Sequence, residues 1–294
     1  MKIRKYGAID IGSNAVRLLV SNVIDYKGQV FFQKNALVRV PIRLGQDAFT
    51  KGEISKKNIR RIIKSMKAFR LLMKVHGVED YLAFATSALR GAKNCSQVIE
   101  RVFNKSKIQI EIIDGKKEAK IISNSNVFEN IDIEKTFLFI DVGGGSTEIS
   151  ILKGGKRLNS NSFKIGTVRL LNKGFDQRIW NQLEIWIKKY TKIYSKIYLL
   201  GTGGNINKLH KISNVKDNHP ITFLTLNLIY NKLNELTYEE RIIDLGLNPD
   251  RSDVIIPATK LFLKIFEWSG AKVIYVPKVG LSDGMIRELY KNKN

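Results

Sequence analysis

Ile9-Asp10-Ile11-Gly12-Ser13-Asn14, close to the start of the chain, returns 131 residues later as Ile140-Asp141-Val142-Gly143-Gly144-Gly145-Ser146-Thr147. In both places an apolar run (Tyr6 to Ile11; Thr136 to Val142) enters a Gly/Ser turn and leaves as a second apolar run (Ala15 to Val23; Glu148 to Leu152). Each copy reads as a β-hairpin, because short apolar runs bounded by glycine and small polar residues mark strand, turn and strand. Repetition at this distance in a chain of 294 residues signals a duplication, with one hairpin in each half.

Working outward, the spacing predicts a helix from about Ser55 to Val75 with Ile59, Ile62, Ile63, Met66, Phe69 and Leu72 on its apolar face. The other face carries Lys56, Lys57, Arg60, Arg61, Lys64, Lys67, Arg70 and Lys74, with no carboxylate from Ile54 to Val78. A solvated helix face and one wall of a polyanion groove both fit that stripe. A strand from Tyr81 to Ala85 runs into Thr86-Ser87-Ala88-Leu89-Arg90, a helix follows from about Ser96, and Ile108 to Ile113 reads as a further strand. In the second half a helix is expected from about Gln177 to Ser195, with Leu183, Ile187, Tyr190 and Tyr194 at helical spacing and Trp180 and Trp186 in or beside the core. Strand Ile197 to Leu200 then meets a third glycine turn, Gly201-Thr202-Gly203-Gly204-Asn205. Helix Val254 to Trp268, strand Val273 to Val276 and helix Leu281 to Tyr290 close the series, and the alternation signals α/β layers.

Composition sets the outer bounds. A hydrophobic share of 44% over 294 residues suits about two domains, each with a core, and excludes disordered and fibrous classes. Fifty Lys and Arg against 27 Asp and Glu leave a net charge of +23. That excess favours an anionic partner, although a Lys-, Asn- and Ile-rich genomic composition also yields it. The single cysteine, Cys95, excludes an internal disulfide and a zinc cluster and fits a reducing compartment. His76, His210 and His219 lie too far apart to form a ligand pattern. No run approaches the ~18 apolar residues of a membrane span, and Met1 to Tyr6 lacks a signal-peptide core. The expectation is a cytoplasmic protein with no membrane partner.

Glycine turns at strand ends allow backbone N–H groups to approach an anion, since no Cβ stands in the way. Gly12, Ser13 and Asn14 in the first turn, Gly143, Gly144, Gly145, Ser146 and Thr147 in the second, and Gly203 and Gly204 in the third are therefore candidate phosphate-binding residues. Asp10 and Asp141 stand just before the first two turns, and Glu148 opens the outgoing strand. One such Asp reads as a turn cap, whereas the repeated set suits a hard cation bridging phosphate oxygens, for which Mg²⁺ is apt.

The block from Gly7 to Val20 resembles the first phosphate motif of the exopolyphosphatase and guanosine pentaphosphate phosphohydrolase family, and Phe139 to Glu148 resembles the second. Ala85 to Arg90, Gly115 to Ala119, Ile165 to Leu170, Gly201 to Gly204 and Gly280 to Gly284 match further family blocks in the same order. The two glycine motifs alone would suit the whole sugar kinase, Hsp70 and actin superfamily; the Ala85 and Gly115 blocks narrow it. The resemblance implies two ribonuclease-H-like α/β domains, residues 1–121 with 280–294 and residues 122–279, with an active cleft between them. It also implies that the last helix returns to the first domain, and that this is the short form of a family whose longer members add C-terminal helical domains.

By the same resemblance Glu118 is the catalytic glutamate that activates water, Asp141 and Glu148 hold the metal, and the cofactor is Mg²⁺ or Mn²⁺. Arg90 reads as a phosphate clamp through its planar guanidinium, with Arg17 and Arg169 as weaker candidates. Ala15 stands where many relatives have Ser or Thr, and Lys117 where many have a second Glu, departures that bear on turnover and substrate preference. The expected activity is metal-dependent hydrolysis of terminal phosphoanhydride bonds, releasing orthophosphate from inorganic polyphosphate. The alternatives are a guanosine pentaphosphate 5′-phosphohydrolase, a non-catalytic polyphosphate or nucleotide sensor, and a kinase, for whose second pocket the sequence offers no sign. Nucleic acid is not an expected partner; a homodimer stays open.

Overall fold

The computed structural model describes residues 1–123, 125, 131–174 and 176–293. The chain forms two compact units, Met1–Ser125 with Gly280–Asn294, and Asn126–Val279.

In the first unit β1 (Lys2–Ile11), β2 (Val16–Tyr26) and β3 (Gln29–Val40) form an antiparallel meander. The helices α1 (Leu44–Thr50) and α2 (Lys56–Val75) carry the chain across to β4 (Asp80–Ala85), which lies parallel to β1. After α3 (Ser87–Arg90) and α4 (Cys95–Ser106), the short β5 (Glu111–Ile112) pairs parallel to β4, and α5 (Gly115–Ser123) follows. The sheet order is β3-β2-β1-β4-β5. As the central strand, β1 is buried without interruption from Tyr6 to Ile11, and this is why its sequence reads as a continuous apolar run.

Helix α2 begins where Ser55 accepts the amide of Asn58. It buries Ile59, Ile62, Met66, Phe69 and Met73, each worth about 1.5–3 kcal/mol of transfer free energy. Arg61 leaves the expected basic stripe. It is half-buried, and its guanidinium donates to the carbonyls of Pro41 and Ile42 at 2.7 and 3.0 Å. Asp47 on α1 braces the same corner, one carboxylate oxygen accepting from the Ser55 amide, the Ser55 hydroxyl and the Asn58 side chain. Burial alone would push its pKa up, but these hydrogen bonds outweigh burial and hold it below the usual carboxylate value.

The second unit repeats the plan. β6 (Phe137–Val142), β7 (Thr147–Lys153) and β8 (Lys156–Phe163) form the meander, and α6 (Thr167–Lys173) and α7 (Gln177–Thr191) lead to β9 (Tyr198–Thr202), parallel to β6. Next come α8 (Gly204–Ile212), β10 (Ile221–Thr222), α9 (Phe223–Glu235), α10 (Tyr238–Ile243), α11 (Pro249–Ser252), α12 (Ile255–Ser269) and β11 (Val273–Tyr275). The order β10-β11-β9-β6-β7-β8 is that of the first sheet with one more edge strand. Even the irregularities coincide: the register shifts at Val20/Ser21 in β2 and at Ile151/Leu152 in β7, positions that the 131-residue offset superimposes. Trp180 packs edge-on against Trp268, and Trp186 against Phe163, so both indoles serve the core and its margin.

The last helix, α13 (Leu281–Asn292), belongs to the first unit and packs on β1 and α5. Gly284 permits this approach, because a Cβ there would collide with the backbone carbonyl of Ile121. Lys34 of β3 bonds Asp283 at 2.9 Å, and Asp283 also accepts the Gly280 amide.

Several elements depart from the sequence expectation. The strand expected over Ile108 to Ile113 contracts to Glu111–Ile112, since only these residues pair with Phe84 and Ala85. Helix α7 stops at Thr191, short of Ser195, because the chain must turn to enter β9. The third meander strands were not expected. β8 is largely Asn, Ser, Lys and Arg, and Phe31 and Leu37 of β3 face outward, so neither carries an apolar alternation.

Candidate phosphate loops and acidic site

The two hairpin turns close alike, with the Gly12 amide donating to the Ala15 carbonyl at 3.1 Å and the Gly143 amide to the Ser146 carbonyl at 3.0 Å. A seven-residue helix backs each turn. In the first unit the Arg43 amide donates to the Asn14 carbonyl and the Gly45 amide to the Ser13 carbonyl, both at 2.8 Å. In the second, the Thr167 amide reaches Gly143 and the Val168 and Arg169 amides reach Gly144, at 2.8–3.0 Å, while Arg169 Nε holds the Gly145 carbonyl at 2.9 Å. A trans peptide sends its C=O and N–H in opposite directions. With these carbonyls drawn back, the amides of Asn14 and Ala15, and of Gly144, Gly145 and Ser146, point away from the helices. Successive amides aimed outward form an anion-binding concavity.

The second loop lies directly on Gly166: a Cβ there would stand 2.5 Å from Gly145 N and 2.6 Å from Gly144 C. The Thr147 hydroxyl fastens the loop's far end to the Ile165 carbonyl at 2.7 Å. In the first loop Ser13 is buried and its hydroxyl meets that of Ser87 at 2.9 Å. Arg169 is thus spent through Nε on bracing the loop, a role the sequence did not suggest.

Residues across the strands from each aspartate separate the two copies. Asp10 faces Arg17, and Asp141 faces Glu148, at equivalent register positions. Arg17 Nη1 bonds Asp10 at 3.0 Å. Burial pushes the Asp10 pKa up, and Arg17 pulls it back without cancelling that rise. In the second unit the cross-strand pair consists of two carboxylates, a destabilising juxtaposition unless a cation intervenes. Glu148 is only 1% exposed and accepts the Ser162 hydroxyl at 2.9 Å; Asp141 accepts the Thr202 hydroxyl at 2.8 Å. Gly203, at φ 101°, gives Asp141 room, as a Cβ there would lie 3.0 Å from its carboxylate. Gly204 opens α8, where Arg251 donates to its carbonyl. Hard oxygen donors in this arrangement fit a hard divalent cation, while Asp10 is paired with Arg17.

Glu118 stands in the first turn of α5 and is 7% exposed. Its neighbour Lys117 turns the other way, to Glu111 at 2.6 Å and over the Phe84 ring at 4.9 Å. A Lys-Lys-Glu run that looks uniformly solvated therefore sends one carboxylate inward. Arg90 Nη1 lies 3.9 Å from Glu118 and also donates to the Ile113 carbonyl, so it ties α3 to the entry of α5. Gly166, Ser87, Ser162 and Thr202 were assigned no site role in the sequence reading. Gly166, Ser87 and Thr202 fall within motif blocks, but their contacts join residues far apart in the chain.

The sequence profile of the Ppx/GppA phosphatase family matches residues 23–293. The chain belongs to that family. The chain is 29% identical to a bifunctional 3-dehydroquinate synthase/phosphatase of Fusobacterium nucleatum, over 97% of this chain and 46% of that protein. It is 25% identical to a guanosine-5′-triphosphate,3′-diphosphate pyrophosphatase of Photobacterium profundum, over 97% of this chain and 59% of that one. The chain thus spans about half the length of these two relatives. The crystal structure of an exopolyphosphatase from Cytophaga hutchinsonii matches 98% of both chains with a TM-score of 0.89 at 22% identity, which shows a shared fold. The expected α/β class, with paired ribonuclease-H-like sheets, is the Ppx/GppA fold found here.

Proposed function

We propose that the chain is a metal-dependent phosphohydrolase that releases orthophosphate from the end of inorganic polyphosphate. The observation that carries this reading is the pair of glycine loops whose carbonyls are drawn into short helices, turning the loop amides outward. Hydrolysis of a phosphoanhydride needs a positioned water and preorganised donors for the charge on the phosphoryl oxygens. In this reading Gly12, Ser13, Asn14, Gly143, Gly144, Gly145, Ser146, Thr147, Gly203 and Gly204 supply or shape the anion contacts. Glu118 takes the proton of the attacking water, and Arg90 orients Glu118 and offers its remaining donors to phosphate. Asp141 and Glu148 would hold the divalent cation, Mg²⁺ or Mn²⁺, which when bound supplies positive charge against the phosphate oxygens. Asp10, neutralised by Arg17, anchors the first loop.

Hydrolysis of the 5′ γ-phosphate of guanosine pentaphosphate is the second reading, favoured by the Photobacterium relative's name. No helix among the described residues is long and apolar enough to cross a membrane. With one half-buried cysteine, the chemistry suits a cytoplasmic setting. The test is phosphate release from polyphosphate and from guanosine pentaphosphate, with wild type and Glu118→Gln compared. Loss of about 10²–10⁴-fold in kcat with Glu118→Gln is expected. An unchanged rate would remove Glu118 from the mechanism, and no release from either substrate by wild type would leave a binding protein or a kinase.

A further inference from the structure

Helix α2 presents a file of cations that the reaction above does not use. Lys57, Arg60, Lys64, Lys67 and Lys74 are all exposed and follow one another at steps of three, four, three and seven residues. At ~100° per residue these positions share one face, opposite the buried Ile62, Met66, Phe69 and Met73. From Lys57 to Lys74 the file runs about 25 Å along a straight helix. Among the described residues none of these five forms an ion pair. The helix sequence itself holds no carboxylate, and the neighbouring α4 contributes only Glu100 against Arg101 and Lys105. Like charges spaced at i, i+3 and i+4 repel, so the file costs stability that a bound polyanion would recover.

We infer that this face of α2 is a docking track for the inorganic polyphosphate chain, separate from the loops that hold the reacting end. This rests on the polyphosphate reading above. The chemistry on the face selects the occupant. It offers charge along one line, without the aromatic platforms or amide side chains that read nucleic-acid bases. The apolar side of α2 is spent in the core, and a membrane-bound amphipathic helix would have to bury that side in lipid. A flexible anion whose every unit is charged, and which has nothing else to recognise, matches a single row of cations.

The experiment measures fluorescence anisotropy of end-labelled long-chain polyphosphate over a series of KCl concentrations. Wild type is compared with the quadruple variant Lys57→Gln, Arg60→Gln, Lys64→Gln, Lys67→Gln, in which all changes are exposed and helix-compatible. The expected result is at least about tenfold weaker binding at 0.1 M salt, and a log–log salt slope shallower by about 3, from ~0.7 per lost contact. The rate of phosphate release from tripolyphosphate, whose three units are too short to span the file of about 25 Å, stays at the wild-type value. Equal affinity and equal slope would overturn the track, as would a loss confined to binding of a DNA duplex. If wild type binds polyphosphate through α2 yet releases no phosphate, the track stands and the hydrolase reading falls; if release occurs and the variant binds like wild type, the reverse holds.

Discussion

Replacing Gly166 by alanine tests whether the second loop is held in place by close backbone packing. Gly166 has φ −162°, an extended conformation open to any residue, so the added methyl acts through space alone. Its Cβ would sit 2.5 Å from Gly145 N, 2.6 Å from Gly144 C and 2.7 Å from Gly145 C, where ordinary contact begins near 3.4 Å. The loop must therefore retreat by about 0.7–0.9 Å, because all three atoms belong to backbone and no side chain can swing aside. Bonds that now span 2.8–3.0 Å, from the Thr167 and Val168 amides and from Arg169 Nε, would stretch past the range of useful hydrogen bonds. Overpacking of this kind costs about 1–3 kcal/mol. At this chain length that lowers the thermal midpoint by roughly 5 °C. A displacement near 1 Å also re-aims the loop amides, at a cost of about 10²-fold in kcat/KM, equivalent to ~2.7 kcal/mol of transition-state stabilisation. Thermal unfolding and phosphate release, measured on the same preparation, read the two effects. A variant within threefold of wild-type kcat/KM and with an unshifted midpoint would refute the claim that Gly166 sets the loop's position.

Two further outcomes follow from the first unit. Gly284→Ala drives a methyl into the Ile121 carbonyl and forces α13 off α5, so denaturant unfolding should register a loss of about 3 kcal/mol. Asp47→Ala removes the acceptor of three hydrogen bonds that start α2, with an expected cost of about 2–3 kcal/mol at pH 7. Because the folded state lowers the Asp47 pKa, its contribution is complete above the unfolded carboxylate's pKa and fades as pH falls through the lower folded one. The stability gap between wild type and Asp47→Ala should therefore close below about pH 4, and a gap independent of pH would show that charge on Asp47 is immaterial.

What the amino-acid order determined by itself is the duplication and its chemistry. Two Asp-containing glycine turns between apolar runs are local signals, and burial on both faces of β1 and β6 makes those runs continuous. The apolar face of α2 was legible for the same reason, since a helix and its hydrophobic period are properties of neighbouring residues. Arg61 was misplaced in the basic stripe because its carbonyl partners, Pro41 and Ile42, lie some twenty residues away. Tertiary structure alone decided that Glu118 turns inward while Lys117 turns out, that α1 and α6 draw back the loop carbonyls, and that Arg17 neutralises Asp10 where Glu148 doubles the charge of Asp141. Each of these depends on distances between groups separated along the chain, which only the packed sheets and helices bring to hydrogen-bonding or Coulombic range.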